Sequence, residues 1–384
     1  MKTRRRLALA ALVPLVFLAA CGSDDDTAST DTAPADTATA DTAAADTAPD
    51  DTTAPADTAA AGSTPTDSAE GDGGSLTLYS GRNEELVEPL IAEFEAATGI
   101  DVEVRYGSSA EMGAALMEEG EGTPADVFFS QEVGALGVLA KADLLTALPD
   151  EVVTQVDERF RPQEGNPWVG VTGRSRVIVY NEDLVPEPPA GVLELTDPAY
   201  EGQVAMVPGN AGFQAFVTAF RVSQGEDAAR QWLEDMMANG AVTNIESNDD
   251  VLTAVENGDI PMGLINHYYW ARSLEEAGGA DNRAAQLVFP AGDDPGGLVN
   301  ATAAGITKNG ADNPAALAFI EYLLSTEGQT YFATETFEYP VVDGIDDPVG
   351  LPPLEELQGP AIDLTDLDSL EETQALLTEL GLLS

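Results

Sequence analysis

The chemically most suggestive stretch of the chain is Asn266-His267-Tyr268-Tyr269-Trp270, which sets two phenols side by side next to the single histidine. The preceding Pro261-Met262-Gly263-Leu264-Ile265 is short and apolar and reads as a buried strand. A polar, aromatic strand end is where an open α/β sheet places its ligand groups. Tyr268, Tyr269 and Trp270 would also form an aromatic cage for an organic cation, and they serve equally as packing aromatics of a core or its rim. A second candidate is the small-residue loop Pro208-Gly209-Asn210-Ala211-Gly212, which runs into a helix from Phe213. Backbone N–H groups at such a helix start are a natural anion site, and a plain tight loop is the alternative.

No catalytic constellation accompanies these groups. With one cysteine near the N-terminus and one histidine, a Cys/His or Ser/His/Asp site would have to use His267. No serine stands in a Gly-x-Ser-x-Gly elbow, and no Walker loop, zinc spacing or calcium loop occurs. Carboxylate pairs are everywhere and discriminate nothing. The chain reads as a binding protein and not an enzyme.

The elements that must position these groups follow from periodicity. Ser75–Ser80 alternates as a strand, and Glu84–Thr98 carries Leu86, Val87, Leu90, Ile91 and Phe94 at helical spacing, with Gly99 placed to end the helix. Ile100–Tyr106 alternates again. Strand, helix, strand opens an α/β domain with parallel pairing. A helix over 109–119, a buried strand at 125–129 with polar end Ser130-Gln131-Glu132, and a helix over 133–145 continue it. The run 169–181 ends in Val177-Ile178-Val179-Tyr180 and suits a connection into a second α/β unit. There, strands at 204–207, 261–265 and 286–290 alternate with helices at 213–223, 227–239 and 249–257. The run 299–306 returns the chain, helices follow at 313–325 and 327–334, and 354–383 reads as an acidic helical tail. The order predicts two lobes joined by crossing strands around a cleft.

Lys2, Arg4, Arg5 and Arg6 precede an apolar run from Leu7 to Ala20, the layout of a signal peptide over residues 1–20. It closes on Leu18-Ala19-Ala20-Cys21, which resembles a bacterial lipobox, so Cys21 is the expected lipidation site. Residues 21–74 are almost all Asp, Thr, Ala, Pro, Ser and Gly and cannot bury enough apolar surface to order themselves. This segment is expected to tether the folded part, 75–384, to the membrane. The formal net charge is −52, which disfavours nucleic acid or anionic lipid as a partner.

The folded part resembles the periplasmic ferric-ion-binding proteins of bacterial iron ABC transporters. The matching pieces, in order, are Leu78-Tyr79-Ser80-Gly81-Arg82, Gly99-Ile100, Thr123-Pro124-Ala125-Asp126-Val127-Phe128, Gly173-Arg174-Ser175-Arg176-Val177, Ala254-Val255-Glu256-Asn257-Gly258, Leu264-Ile265-Asn266-His267-Tyr268-Tyr269-Trp270, Asp294-Pro295-Gly296 and Glu338-Tyr339-Pro340. The resemblance implies a two-lobed type II periplasmic-binding-protein fold with hinge strands and a central ligand cleft. Lobe 1 would cover about 75–175 plus 298–345, and lobe 2 about 176–297 plus 346–384.

It also implies that Tyr268 and Tyr269 ligate Fe3+, a hard ion that prefers anionic oxygen and holds a phenol as phenolate. In a regular strand the two would face opposite sides, so the backbone is expected to leave β geometry there. The family pattern has histidine where Asn83 stands and glutamate where Gln131 stands, and both amides are poor Fe3+ partners. Glu84 and Glu132, each one residue later, are the substitutes to consider. Some relatives carry a third tyrosine near Phe213, which cannot ligate. A synergistic anion (carbonate, phosphate or citrate) would then complete the shell on Asn210, Ala211, Gly212, Asn248 and Asn266, with Arg82 and Arg174 as helpers. His267 would be a neighbour rather than a ligand.

The whole then reads as a monomeric, lipid-anchored extracytoplasmic receptor that passes Fe3+, bare or chelated, to an ABC permease and its ATPase. The same fold binding thiamine or a polyamine, and a surface adhesion or antigen lipoprotein, are the alternatives.

Overall fold

A computed structural model describes residues 74–279 and 283–383. The expected signal segment, Cys21 and all but the last residue of the expected tether lie outside the described residues. In chain order the elements are β1 (Ser75–Ser80), α1 (Glu84–Thr98), β2 (Asp101–Tyr106), α2 (Ser109–Glu119), β3 (Val127–Ser130), α3 (Val133–Lys141), α4 (Asp150–Val153) and β4 (Val169–Asn181). Next come β5 (Val204–Ala205), α5 (Ala211–Gln224), α6 (Glu226–Ala238), α7 (Asn248–Glu256), β6 (Met262–Asn266), α8 (His267–Ala277), β7 (Ala285–Val288) and β8 (Val299–Ile306). The chain closes with α9 (Pro314–Leu323), α10 (Thr326–Tyr331), β9 (Tyr339–Pro340) and α11 (Leu370–Glu379). Among the described residues no helix is long and apolar enough to cross a membrane.

The opening unit forms as its pattern dictates. Asn83 caps α1, whose buried face is Val87, Leu90, Ile91 and Phe94, and Gly99 ends it at φ 71°, a left-handed turn that glycine takes without steric cost. Ser108 and Glu111 form a capping box on α2. β1 pairs in parallel with both β2 and β3.

The strands run in the order β2-β1-β3-β8-β4-β6-β5, with β7 and β9 also paired to β4. β4 is the seam. Its residues up to Ser175 pair with β8 and β9, and from Arg176 onward they pair with β6 and β7. One strand therefore belongs to two halves of the sheet. The core divides in the same way. Leu76, Phe94, Phe128, Trp168 and Phe319 belong to one apolar cluster. Beyond the seam, side chains of β4 alternate between two faces: Ile178 joins Phe213, Phe216 and Trp232, and Val177 and Val179 join Ile265 and Trp270.

The C-terminal tail differs from its sequence reading. Only Leu370–Glu379 is α-helical, with short 3-10 turns at Leu354–Glu356 and Leu364–Asp368. Pro360 cannot supply a helical N–H and disfavours helix at the residue before it, while Asp363 accepts from the Thr365 N–H and starts a new turn. The tail was assigned as a whole to the second lobe. Instead Leu357, Leu364 and Leu367 pack in the first cluster, and Leu376 and Leu377 in the second. Likewise the helix read over 327–334 becomes α10 followed by a π-turn, Phe332–Thr336, which ends on Phe337 at φ 57°.

Phe94 is fully buried, with its ring edge-on to Phe319 at 5.2 Å. Phe94→Ala is expected to cost about 3–5 kcal/mol, read as a lower urea midpoint at unchanged slope.

Candidate functional site

β5 and β6 are parallel neighbours, and Val242 makes a parallel bridge to Ala205 of β5. Each of these segments runs, within a few residues, into a helix: β5 into α5, β6 into α8 and the Val242 segment into α7. Three helix N-termini thus open at one edge of the sheet, the place where such folds bind ligands. Their partial positive charges favour an anion there.

The side chains at this edge follow from those helix starts. Asn210 Oδ1 accepts from the Phe213 N–H at 3.2 Å and caps α5. Ser247 caps α7 and leaves Asn248 in its first turn, buried, with neither amide atom partnered. Asn266 occupies the cap position of α8 and does not cap it. Its Oδ1 accepts from Arg176 Nη1 at 3.2 Å, and its Nδ2 donates to the Tyr268 hydroxyl at 3.2 Å. Gly212 is required beside it: a Cβ there would stand 2.7 Å from Asn266 Nδ2.

The backbone leaves β geometry at His267, as the paired-tyrosine argument requires. Tyr268 and Tyr269 sit in the first turn of α8, rings 4.6 Å apart and inclined by 31°. Burial first, and then Tyr269, push the Tyr268 phenol well above its ordinary range. Arg176 completes the group. It is buried, stacks over Phe213 at 5.6 Å and donates to the Leu264 carbonyl at 2.8 Å, while its Nε has no partner. Burial lowers its pKa to about 10, so it stays charged at neutral pH. With Arg174, Gly212, Asn266, Glu132 and Asn300 it lines a small pocket.

The other half of the sheet contributes differently from expectation. Both terminal nitrogens of Arg82 are taken: Nη1 and Nη2 clasp Glu338 at 2.9 and 2.6 Å, and Nη1 also donates to Gln131 Oε1 at 2.8 Å. It does not line the pocket beside Asn266. Arg174 pairs with Glu132 at 2.6 Å and donates to the Gln131 carbonyl, and Asn300 donates to the same Glu132 carboxylate. Asn83 is spent as an exposed helix cap, and Glu84 is exposed on the first turn of α1.

The two buried carboxylates diverge. Burial raises both, and for Glu338 the two guanidiniums of Arg82 and Arg174 outweigh it and hold the pKa below the usual range. For Glu132 burial prevails over Arg174 and the pKa is raised. Sequence reasoning passed over Arg176 and Glu338, although both lie inside motifs it singled out. The available signal was a basic residue at the seam strand, directly opposite Asn266 in the pairing register.

His267 is a bolt, not a ligand. It is fully buried and stacks on Tyr339 at 4.7 Å. Nδ1 accepts from the Ser175 N–H at 3.1 Å, and Nε2 lies 3.0 Å from the Phe337 carbonyl. The Ser175 carbonyl also lies 3.3 Å from Nδ1, but the shorter contact there is the Ser175 N–H, which only donates; Nδ1 therefore accepts, and the proton of a neutral ring sits on Nε2, facing the Phe337 carbonyl. Burial lowers its pKa to about 4.

Unfolded histidine titrates near 6.5, so unfolding takes up a proton between about pH 6.5 and 4. Stability is expected to fall across that window as pH drops, by up to about 3 kcal/mol. His267→Gln, which keeps an acceptor and a donor, should flatten that part of the urea-midpoint profile of the iron-free protein. Separately, Arg82→Met is expected to cost about 3–5 kcal/mol by stranding Glu338, with much of it recovered in the Arg82→Met/Glu338→Leu double variant.

The chain matches a family described as bacterial extracellular solute-binding protein over residues 89–356. It is 33% identical to an Fe(3+)-binding periplasmic protein of Serratia marcescens, across 82% of this chain and 93% of that one. Its fold superposes on iron-bound HitA from Pseudomonas aeruginosa with a TM-score of 0.72 at 31% identity, covering 80% of this chain and 99% of that one. A Trichodesmium protein (IdiA, FutA) in complex with iron and citrate ligands gives 0.66 at 25% identity, covering 80% and 99%.

Proposed function

The chain belongs to the bacterial extracellular solute-binding proteins, among their periplasmic ferric-ion-binding members, and on that premise we propose that it captures Fe3+ through Tyr268 and Tyr269. Its fold is the two-lobed type II periplasmic-binding-protein fold. The reading goes on that the lobes, divided near Ser175/Arg176 on β4 and near 297/298, close over the ion and present it to an ABC permease and its ATPase. Cys21 would carry the lipid anchor of a monomeric receptor.

The observation that carries the reading is the company the two phenols keep. Asn266 orders one of them, and the same asparagine ties it to a buried guanidinium with a free donor. Among the described residues no cluster of three or more His, Cys, Asp or Glu stands ready to hold a metal. Two phenolates therefore need outside oxygen donors. A carbonate, phosphate or citrate resting on Arg176, the Asn248 amide, Asn266 and the α5 and α8 N-termini, where Asn210, Ala211 and Gly212 lie, supplies them. Glu132 is held by Arg174 and Asn300 and acts as a wall of the pocket. An organic cation suits the site less well: Arg176 adjoins the pair, and Arg272 already covers the Tyr269 ring at 5.4 Å.

Ferric citrate titrated into the full chain is expected to develop a visible phenolate-to-iron band. Tyr268→Phe and Tyr269→Phe should each weaken binding by more than about 100-fold, beyond the cost of losing an outer partner. Because the metal-free phenol is protonated, binding releases protons and acidification should bleach the band. An unchanged band in both variants would overturn the reading.

A further inference from the structure

Next to the small pocket of Arg176 and Asn266 lies a chamber of about 290 Å³. Glu132, Ala215 and Asn300 border both this chamber and the small pocket, so the two spaces adjoin. The chamber holds roughly ten waters at bulk density, far more than a carbonate needs, and approaches the lower end of small-molecule sites. Its walls are small or neutral: Ala135 from α3, Ala215 and Gln214 from α5, and Leu370 and Gln374 from the tail. No lysine or arginine lines it, and Glu132 is its one charged group.

Charge limits what fits between the two spaces. Fe3+ with two phenolates retains one positive charge, and Arg176 adds a second. The Arg82–Glu338 and Arg174–Glu132 pairs cancel, as does Arg272 with Asp249 at 2.6 Å. A dianionic donor head neutralises the remainder in a setting where uncompensated charge is costly. The part of the ligand that reaches the chamber meets no cation among the described lining residues, so a further carboxylate there would be left without a partner.

We propose, building on the ferric reading, that the cargo is a ferric chelate with a dianionic two-oxygen head, such as a catecholate, and an uncharged body lodged in this chamber. The head takes the place of a separate inorganic anion on Arg176 and Asn266. Its two protons pass to solvent as the oxygens bind iron, and no redox change accompanies the exchange.

The test uses the full chain with iron presented with one equivalent of catechol, with citrate, or with carbonate alone. Wild type should hold the catechol form at least about tenfold tighter than either of the others. Ala135→Phe on α3 and Leu370→Trp on the tail narrow the chamber without touching the tyrosines. Each should lose about tenfold or more for catechol and keep the carbonate-supported band, which also reports that the variant is folded. Equal affinity for catechol and carbonate in wild type, or catechol binding unchanged in both variants, overturns the proposal and leaves the ferric reading standing. Absence of an iron band with every anion overturns both.

Discussion

Everything at the seam of the molecule depends on two guanidiniums and two carboxylates kept out of water. Removing such groups from solvent costs several kcal/mol per ion, and only close geometry with full hydrogen bonding offsets it. Glu338 meets that condition, with Arg82 on both of its oxygens and Arg174 alongside. The two arginines then fix their surroundings. Arg82 follows the end of β1 and holds Gln131; Arg174 lies on β4 and holds Glu132, at the start of α3. The ends of β1 and β3 and the middle of β4 are thereby locked to the loop after α10, whose π-turn and left-handed Phe337 deliver Glu338. Below that loop, His267 ties the start of α8 to Ser175 and to Phe337.

This arrangement divides the work between the halves of the sheet. The half beyond Arg176 supplies phenols, carboxamides and helix N-termini. The opening half leaves neither Asn83 nor Gln131 free, since Asn83 caps a helix and Gln131 serves Arg82. It supplies a wall instead. On the proposed reading a ligand brings its own oxygen donors, and burial holds the Tyr268 phenol above its ordinary range, so it adds no permanent negative charge to an already acidic protein.

Much of this was legible in the chain, for reasons that can be named. Helix spacing and a glycine stop marked α1, alternation marked β1 and β2, and an aromatic pair after an apolar strand marked the turn from β6 into α8. The departure from β geometry at His267 followed from the requirement that neighbouring side chains share a side. What escaped was long-range. Arg82 stood in a recognisable motif, but the carboxylate that claims it lies 256 residues further on. Pairing at that separation leaves no local pattern. Arg176 was passed over because its neighbour Arg174 has the same charge, and only strand register decides which of them faces Asn266. The tail misled because its leucines follow helical spacing while Pro360 and Asp363 interrupt the backbone that spacing presumes.

That tail also bears on how far the halves can swing. It lies against α3, where Gly134 and Gly137 leave room for its backbone at Leu367 and Thr365. A few residues on it is joined to α5, through Thr373 with Thr218 at 2.7 Å and Gln374 with Gln214 at 3.0 Å. The closure proposed above turns the halves about the seam of β4 at Ser175/Arg176. A link away from that seam works like the stay on a casement window: the frame turns freely until the stay is taut, and its slack, not the hinge, sets the widest opening.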